Sequence, residues 1–255
     1  SKLKFMLGYS SPLIFSSLGV FLSNYVDRIA IASMLDLSNL GLYGIGFRVA
    51  FIANVLMIGI SNSLTPLVFA NHEKPETPQE IARIFNLFLA FALLLTATLT
   101  LFSTEIIDLL TGQDVYLAAA TVVPFLVAGV FFSKMYIFTP GLHLAKKTGK
   151  IAALNLSAAA LNGILNLVLI PKWGIVGAAS ATLIAAACLF SANLFFSQRA
   201  YFIPYKAVPS LLATGVTLVL ILGVAEVELE SVVFRSCCVL GLAVALFFIL
   251  KPVKQ

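Results

Sequence analysis

The chain has 255 residues, of which 60% are hydrophobic and only 11% are charged, whereas about a quarter of the residues in a typical soluble domain are charged. This composition excludes a soluble enzyme or a soluble binding module and predicts an all-α polytopic membrane protein. The net charge of +5 would suit a nucleic-acid partner only if the cations were clustered, and they are not.

Apolar runs of about 20 residues, the length that crosses a bilayer, recur from one end of the chain to the other. We expect about eight transmembrane helices, separated by short polar connections. The predicted spans cover residues 9–35, 41–70, 80–103, 114–142, 149–170, 174–198, 206–226 and 230–250. Three prolines, Pro66, Pro124 and Pro140, fall inside these spans and are expected to kink them.

Lysine and arginine are distributed unevenly between alternate connections. Of the sixteen, only Lys172 and Arg235 lie on one predicted side, which also carries seven acidic residues. Eleven lie on the other side: Lys2, Lys4, Lys74, Arg83, Lys146, Lys147, Lys150, Arg199, Lys206, Lys251 and Lys254. Because cytoplasmic loops are enriched in these residues, both termini are predicted to be cytoplasmic. The positive charge is thereby explained without nucleic acid as a partner.

The three remaining cations, Arg28, Arg48 and Lys134, lie inside predicted spans. Asp27 and Arg28 precede the turn that begins at residue 36 by eight or nine residues, and Arg48 follows its end at residue 41 by seven. At 1.5 Å per residue, all three are expected roughly 10 Å below the outer membrane surface. Charged side chains at such depth usually face protein or a water-filled cavity.

Two interpretations of these charges remain open. In the first, Asp27 and Arg48 form a structural ion pair on neighbouring helices, and Arg28 extends outward. In the second, the cations line a hydrophilic cavity, because one carboxylate cannot neutralise two of them. The candidate substrate-cavity residues are Arg28, Arg48, Lys134, Asn24 and Asp27.

A second polar group lies on the predicted fifth span. Asn155, Asn162 and Asn166 are seven and four residues apart and therefore share one helix face. Buried amides need partners, so this face either forms hydrogen bonds between helices or is a sugar-facing wall. After a turn at residues 171–174, small residues recur at every fourth position, at Gly177, Ala181 and Ala185. This seam predicts close helix packing.

No arrangement of residues indicates catalysis or metal binding. Cys188, Cys237 and Cys238 lie in apolar runs without ligand spacing, so they are interpreted as packed helix residues. His143, beside a basic connection, is interpreted as a packing residue. We therefore predict that the protein is not an enzyme and uses no metal and no cofactor.

Three stretches resemble the polysaccharide flippases, which are the O-antigen-type and polysaccharide-synthesis members of the multidrug/oligosaccharidyl-lipid/polysaccharide exporter superfamily. They are Asp27-Arg28 followed by LSNLGLYGIGFRVA (residues 37–50), the basic GLHLAKKTGK (141–150) and LNLVLIPKWGIVGAASATLIA (165–185). The third stretch is the most specific. The resemblance covers about residues 5–200.

The resemblance implies a fold of two six-helix lobes that face a central cavity. Residues 1–200 resemble the second, C-terminal lobe, and residues 201–255 resemble an additional transmembrane helix pair with a cytoplasmic tail. The first lobe has no counterpart in the chain. Since the sequence also begins with Ser1 and not with methionine, we expect a segment upstream.

The function implied by the resemblance is the flipping of an undecaprenyl-pyrophosphate-linked oligosaccharide across the bacterial cytoplasmic (inner) membrane, for lipopolysaccharide or other surface polysaccharide. The implied partners are this lipid-linked oligosaccharide, membrane lipids, the N-terminal lobe, and a polysaccharide polymerase or glycosyltransferases. A proton or sodium gradient would supply the energy. Two alternatives stay open: a cation-coupled small-molecule or drug exporter of the same superfamily, and a non-transporting membrane scaffold.

Overall fold

A computed structural model describes residues 14, 17, 21, 25–226 and 232–250. All of the regular secondary structure in these residues is helical, and five helical segments are long and apolar enough to cross a membrane. The predicted all-α polytopic membrane fold is therefore confirmed. Thirteen of the 27 residues of the first predicted span lie outside the described residues.

The helices follow one another with short connections, as the sequence predicts. They are α1 (residues 25–34), α2 (Leu37–Asn71), α3 (Thr77–Leu101), α4 (Ser103–Thr111), α5 (Val123–Lys134), α6 (Gly141–Leu144), α7 (Thr148–Gln198), α8 (Ala207–Glu226) and α9 (Val232–Leu250). Two 3-10 segments, Asp114–Val122 and Met135–Phe138, flank α5. Helix α5 packs against α2 and α7, and the pair α8 and α9 packs on α3.

The turn between α1 and α2 is shorter than predicted. The Asp36 side chain accepts a hydrogen bond of 2.7 Å from the Asn39 backbone N–H, so it caps a helix that begins at Leu37. A carboxylate in this position satisfies one of the free N–H groups of the first turn. The cap brings α1 and α2 into an antiparallel pair with little intervening chain.

Helix α7 is a hairpin of two antiparallel arms, residues 148–173 and 175–198. Gly174, between the arms, has φ +56° and ψ −137°, which is not a helical conformation. The Asn162 side chain donates a hydrogen bond of 3.4 Å to the Thr182 hydroxyl. Twenty residues of straight helix would separate these groups by about 30 Å, so the chain must reverse. The arms correspond to the fifth and sixth predicted spans.

The arms meet closely at the small-residue seam. A Cβ atom placed on Gly177 would lie 2.3 Å from the Leu169 carbonyl oxygen, so no larger residue fits without moving the backbone. Ala181 and Ala185 are buried further along the second arm. The seam therefore holds the two arms of the hairpin together.

The three prolines occupy different kinds of position. Pro66 lies inside α2, as predicted. Pro124 lies within the span Asp114–Phe138, where the first 3-10 segment changes to α5. Pro140 is the N-cap of α6, where a missing N–H costs no helical hydrogen bond, so the prediction that it bends a helix from within is wrong.

Tyrosine hydroxyls tie the connections together at one end of the bundle. Tyr201 donates a hydrogen bond of 3.1 Å to the His72 carbonyl oxygen, and Tyr205 donates to that of Phe138. Burial raises the pKa of Tyr205, which keeps its hydroxyl protonated as a donor. These connections are the ones that the charge count places on the basic side.

At the opposite end, Arg235 of α9 forms an ion pair of 2.6 Å with Glu105 of α4 and donates a hydrogen bond of 3.0 Å to the Leu101 carbonyl oxygen. The charge count places both ionic partners on its acidic side, so the two groups of connections stay separate in the fold. Which end faces the cytoplasm remains a prediction, and so does the domain boundary at residue 200.

The seam gives a direct stability test. Substitution of Gly177→Ala would force the two arms of α7 apart and is expected to cost about 1–3 kcal/mol, as overpacking typically does. Thermal unfolding of the detergent-solubilised protein measures the effect. Gly149→Ala, where nothing lies within 4 Å of an added Cβ, is the matched control. Equal unfolding midpoints for the two variants would contradict the close approach.

Candidate functional site

Asp27 is 5% exposed and lies between α2 and α7. Three neutral side chains donate hydrogen bonds to its carboxylate. The Tyr43 hydroxyl donates at 2.9 Å and the Thr182 hydroxyl at 2.6 Å, both to Oδ2, and the Asn166 amide donates at 2.8 Å to Oδ1. The single carboxylate thus joins α1, α2 and both arms of the α7 hairpin.

Asn162 extends this network. Its Oδ1 accepts a hydrogen bond of 3.2 Å from the Asn166 amide, and its own amide donates to Thr182. Both asparagines are fully buried, so they serve contacts between helices and do not line an open wall. Asn155, seven residues before Asn162, is half-buried. We call Asp27, Tyr43, Asn162, Asn166 and Thr182 the Asp27 cluster.

The first of the two interpretations, an ion pair between Asp27 and Arg48, does not agree with the structure, because neutral side chains donate to the Asp27 carboxylate. Arg235 and Glu105 form an ion pair in the described part of the chain, whereas Arg48 is exposed. The reason is the orientation of α2. Tyr43 faces α1, and Arg48, five residues later, points about 140° further round the helix. The neutral donors take the place that the arginine was expected to fill.

Arg28 is half-buried beside α2. Its guanidinium lies 4.6 Å from the centroid of the Phe47 ring and 5.7 Å from that of Tyr25, distances typical of cation–π contacts. Arg48 follows Phe47 directly, so the two arginines lie at similar levels of neighbouring helices. Asn24, the other predicted residue of this region, lies outside the described residues.

Lys134 is half-buried in the last turn of α5. It lies five residues beyond Gly129, where an added Cβ would be 3.6 Å from the Thr182 side chain. Five residues of helix advance by about 7–8 Å, so Lys134 lies closer to the Phe138 end of the bundle. The structure does not bring it into contact with Asp27.

The Asp27 cluster has the chemistry of a site for a small hard cation. The Asn166 Oδ1 atom is buried without a hydrogen-bond partner in the described part of the chain, and a bound ion or water is one way to satisfy such an atom. Carboxylate, amide and hydroxyl oxygens are the ligands that hard cations prefer. In those same residues, no group of three His, Cys, Asp or Glu side chains could hold a metal.

Other titratable and thiol side chains lie apart from the cluster. The ring of His143 packs edge-on to that of Phe69 at 6.4 Å, and burial lowers its pKa, which suits the predicted packing role. The three cysteines are free thiols. Cys188 and Cys237 are exposed and Cys238 is half-buried, so the interpretation of the first two as packed residues is wrong for the described part of the chain.

Sequence reasoning did not identify Tyr43 or Thr182. Tyr43 lies about as far after the turn at Asp36 as Asp27 lies before it, and this symmetry is the signal that could have paired them. Thr182 directly follows Ala181 of the small-residue seam. Because neutral hydroxyls are common in membrane helices, neither residue stands out by type.

A helical bundle with charged side chains inside its spans is the architecture of a membrane transporter. A family model described as MatE matches residues 12–171, which is more than half of the chain. The chain belongs to the MatE family. Its predicted membership of the multidrug/oligosaccharidyl-lipid/polysaccharide exporter superfamily is thereby confirmed.

Two known proteins are similar over most of this chain. The "Probable low-salt glycan biosynthesis flippase Agl15" of Haloferax volcanii is 27% identical over 185 residues, which are 71% of this chain and 39% of that protein. A multidrug/oligosaccharidyl-lipid/polysaccharide exporter (MOP) superfamily transporter from Pyrococcus furiosus superimposes with a TM-score of 0.53 at 18% identity, over 94% of this chain and 61% of that one. The second likeness is one of fold alone. The chain spans less than two thirds of either protein.

The hydrogen bonds of Asp27 can be tested by double-mutant cycles in detergent, with the free energy of unfolding as the readout. Tyr43→Phe should couple to Asp27→Asn by about 0.5–3 kcal/mol, because the two side chains are in contact. Arg48→Gln should couple to Asp27→Asn by less than about 0.5 kcal/mol. A strong coupling of Asp27 with Arg48 and none with Tyr43 would instead support an ion pair between Asp27 and Arg48.

Proposed function

We propose that the chain is one lobe of a flippase that moves a lipid-linked oligosaccharide across the membrane for surface glycan synthesis. Its membership of the MatE family and its similarity to a protein named as a glycan biosynthesis flippase support this function. The step moves an intact substrate and makes or breaks no covalent bond, so the protein would not act as an enzyme.

The observation that carries the proposal is the exposure of Arg48 on the membrane-spanning helix α2. Placing an arginine at the centre of a spanning helix costs about 2.5–3.5 kcal/mol on insertion scales, so such residues usually face water or a partner. Because neutral donors occupy the Asp27 carboxylate, the Arg48 charge remains for an anion. A diphosphate fits, since guanidinium groups bind phosphate oxygens in bidentate fashion.

One lobe would supply one wall of the substrate cavity. In the proposal, the exposed face of α2 meets a first lobe of the same protein, and one lobe rocks against the other during transport. Arg28 lies beside Arg48 on this wall. Lys134 would meet the diphosphate nearer the basic end of the bundle.

A proton or sodium gradient would drive the cycle, and the Asp27 cluster is the proposed coupling site. Its asparagines and threonine belong to the two arms of α7, while Asp27 and Tyr43 belong to α1 and α2. A cation bound here would change how these helices pack. Transport would then depend on the ion that the cluster holds.

The substrate carrier would be undecaprenyl pyrophosphate if the host is a bacterium. In that case the protein lies in the cytoplasmic membrane with both termini in the cytoplasm, as the distribution of lysine and arginine predicts. Glycosyltransferases would then supply the lipid-linked oligosaccharide, and a polymerase or another glycan-processing enzyme would receive it. O-antigen is one product consistent with this order.

The proposal predicts that Arg48→Gln in the full-length protein reduces transport at least tenfold, because the guanidinium that offsets the diphosphate charge is lost. Transport can be measured in proteoliposomes as the movement of extracted lipid-linked oligosaccharide between leaflets. Arg48→Lys should retain part of the activity. Lys172→Gln, an exposed cation at the α7 turn, is the matched control.

Full transport by Arg48→Gln would contradict the assignment of Arg48 to the cavity. Export of a cationic drug, with no movement of the glycan lipid by the unaltered protein, would favour the alternative of a drug exporter.

A further inference from the structure

Aromatic side chains accompany the two arginines on the surface formed by α1 and α2. We call this surface the arginine–aromatic face, and it consists of Phe21, Tyr25, Arg28, Phe47, Arg48 and Phe51.

On the α1 side, each side chain of this face contacts the next one. The Phe21 and Tyr25 rings have centroids 4.6 Å apart. The Arg28 guanidinium is 5.7 Å from the Tyr25 ring and 4.6 Å from the Phe47 ring. The row therefore crosses from α1 to α2 without a gap.

On the α2 side, Phe51 extends the face by one turn. It lies four residues after Phe47 and three after Arg48, which places the three side chains on adjacent positions of one helix surface. Phe51 is 49% exposed, Tyr25 is 46% exposed and Phe21 is 55% exposed. Three rings thus present open surface beside two guanidinium groups.

Helix α9 has an exposed surface of a different composition. Over Val232–Leu250, α9 exposes many large apolar side chains and no charged one, as contact with acyl chains requires. The arginine–aromatic face has two guanidinium groups among its rings, and a guanidinium in hydrocarbon is costly. This face is therefore suited to a ligand that is anionic in one part and offers apolar surface in another.

Glycan lipids have this combination of groups. The C–H face of a sugar ring is apolar and can stack on an aromatic ring, while its hydroxyls remain free for polar groups nearby. The diphosphate of the same molecule pairs with arginine.

We propose that Phe21, Tyr25 and Phe51 stack on the sugar rings of the transported glycan while Arg28 and Arg48 hold its diphosphate. This inference rests on the proposed function and adds the residues that recognise the sugar. Arginine sets the affinity for the lipid diphosphate, and the aromatic rings set the preference for a glycosylated lipid over a bare one.

The test compares two ligands on the full-length protein in detergent. One is the lipid-linked oligosaccharide extracted from the source cells, and the other is a polyprenyl diphosphate without sugar. Tyr25→Leu should weaken binding of the glycosylated lipid about three- to tenfold, the range expected for losing one aromatic contact, and leave the bare diphosphate unchanged. Tyr25→Trp, which keeps an aromatic ring, should retain the preference for the glycosylated lipid over the bare diphosphate.

Two controls separate stacking from general effects of substitution. Phe195→Leu removes another half-exposed ring that lies under an arginine, Arg199, at 4.1 Å, and it should change neither affinity. Arg48→Gln should weaken the binding of both ligands, because both contain the diphosphate. If Tyr25→Leu does not accumulate in membranes, Phe21→Leu replaces it in the same comparison.

Equal weakening of both ligands by the aromatic variant would overturn the proposal, since the ring would then act only by holding Arg28. No change for either ligand would also overturn it, because the rings would then face lipid. If Arg48→Gln leaves both affinities unchanged while the aromatic variant discriminates between the ligands, the diphosphate assignment fails and sugar recognition stands.

Discussion

The lobe depends on one buried carboxylate that is satisfied by neutral donors. Asp27 accepts hydrogen bonds from Tyr43 of α2 and from Asn166 and Thr182 on the two arms of α7. Loss of a partner inside a membrane protein is expensive, because little water is present to replace it. Three donors from three different helix segments therefore fix the relative position of α1, α2 and α7 more firmly than apolar contacts, which lipid can replace.

This arrangement decides what the arginines can do. A carboxylate paired with Arg48 would have removed one charge from the surface of α2. Because hydroxyl and amide donors, and not Arg48, contact the Asp27 carboxylate, the charge of Arg48 remains on the exposed face of α2. The close seam at Gly177 contributes to the same result, since it holds the arms of α7 where both can reach Asp27.

Much of the fold follows from the sequence. The hydropathy pattern predicts where the spans lie, because a helix needs about 20 apolar residues to cross the hydrocarbon core of a bilayer, whichever helices surround it. The spacing of Asn162 and Asn166 predicts their shared face, and Gly177 predicts close packing. The partner of Asp27 could not be predicted, since charge pairing favoured Arg48 and only the rotation of α2 reveals Tyr43. Pro140 was wrongly predicted to lie inside a helix, because a helix start within an apolar run has no hydropathy signal.

The central claim is that the α2 face around Arg48 is open to water, whereas the apolar surface of α9 is not. Thiol accessibility in native membranes tests it, with Cys188, Cys237 and Cys238 of the full-length protein replaced by serine. Arg48→Cys should react with a charged, water-soluble thiol reagent, whereas Leu240→Cys, exposed on α9, should not react. Failure of Arg48→Cys to react, or equal reaction of Leu240→Cys, would contradict the account.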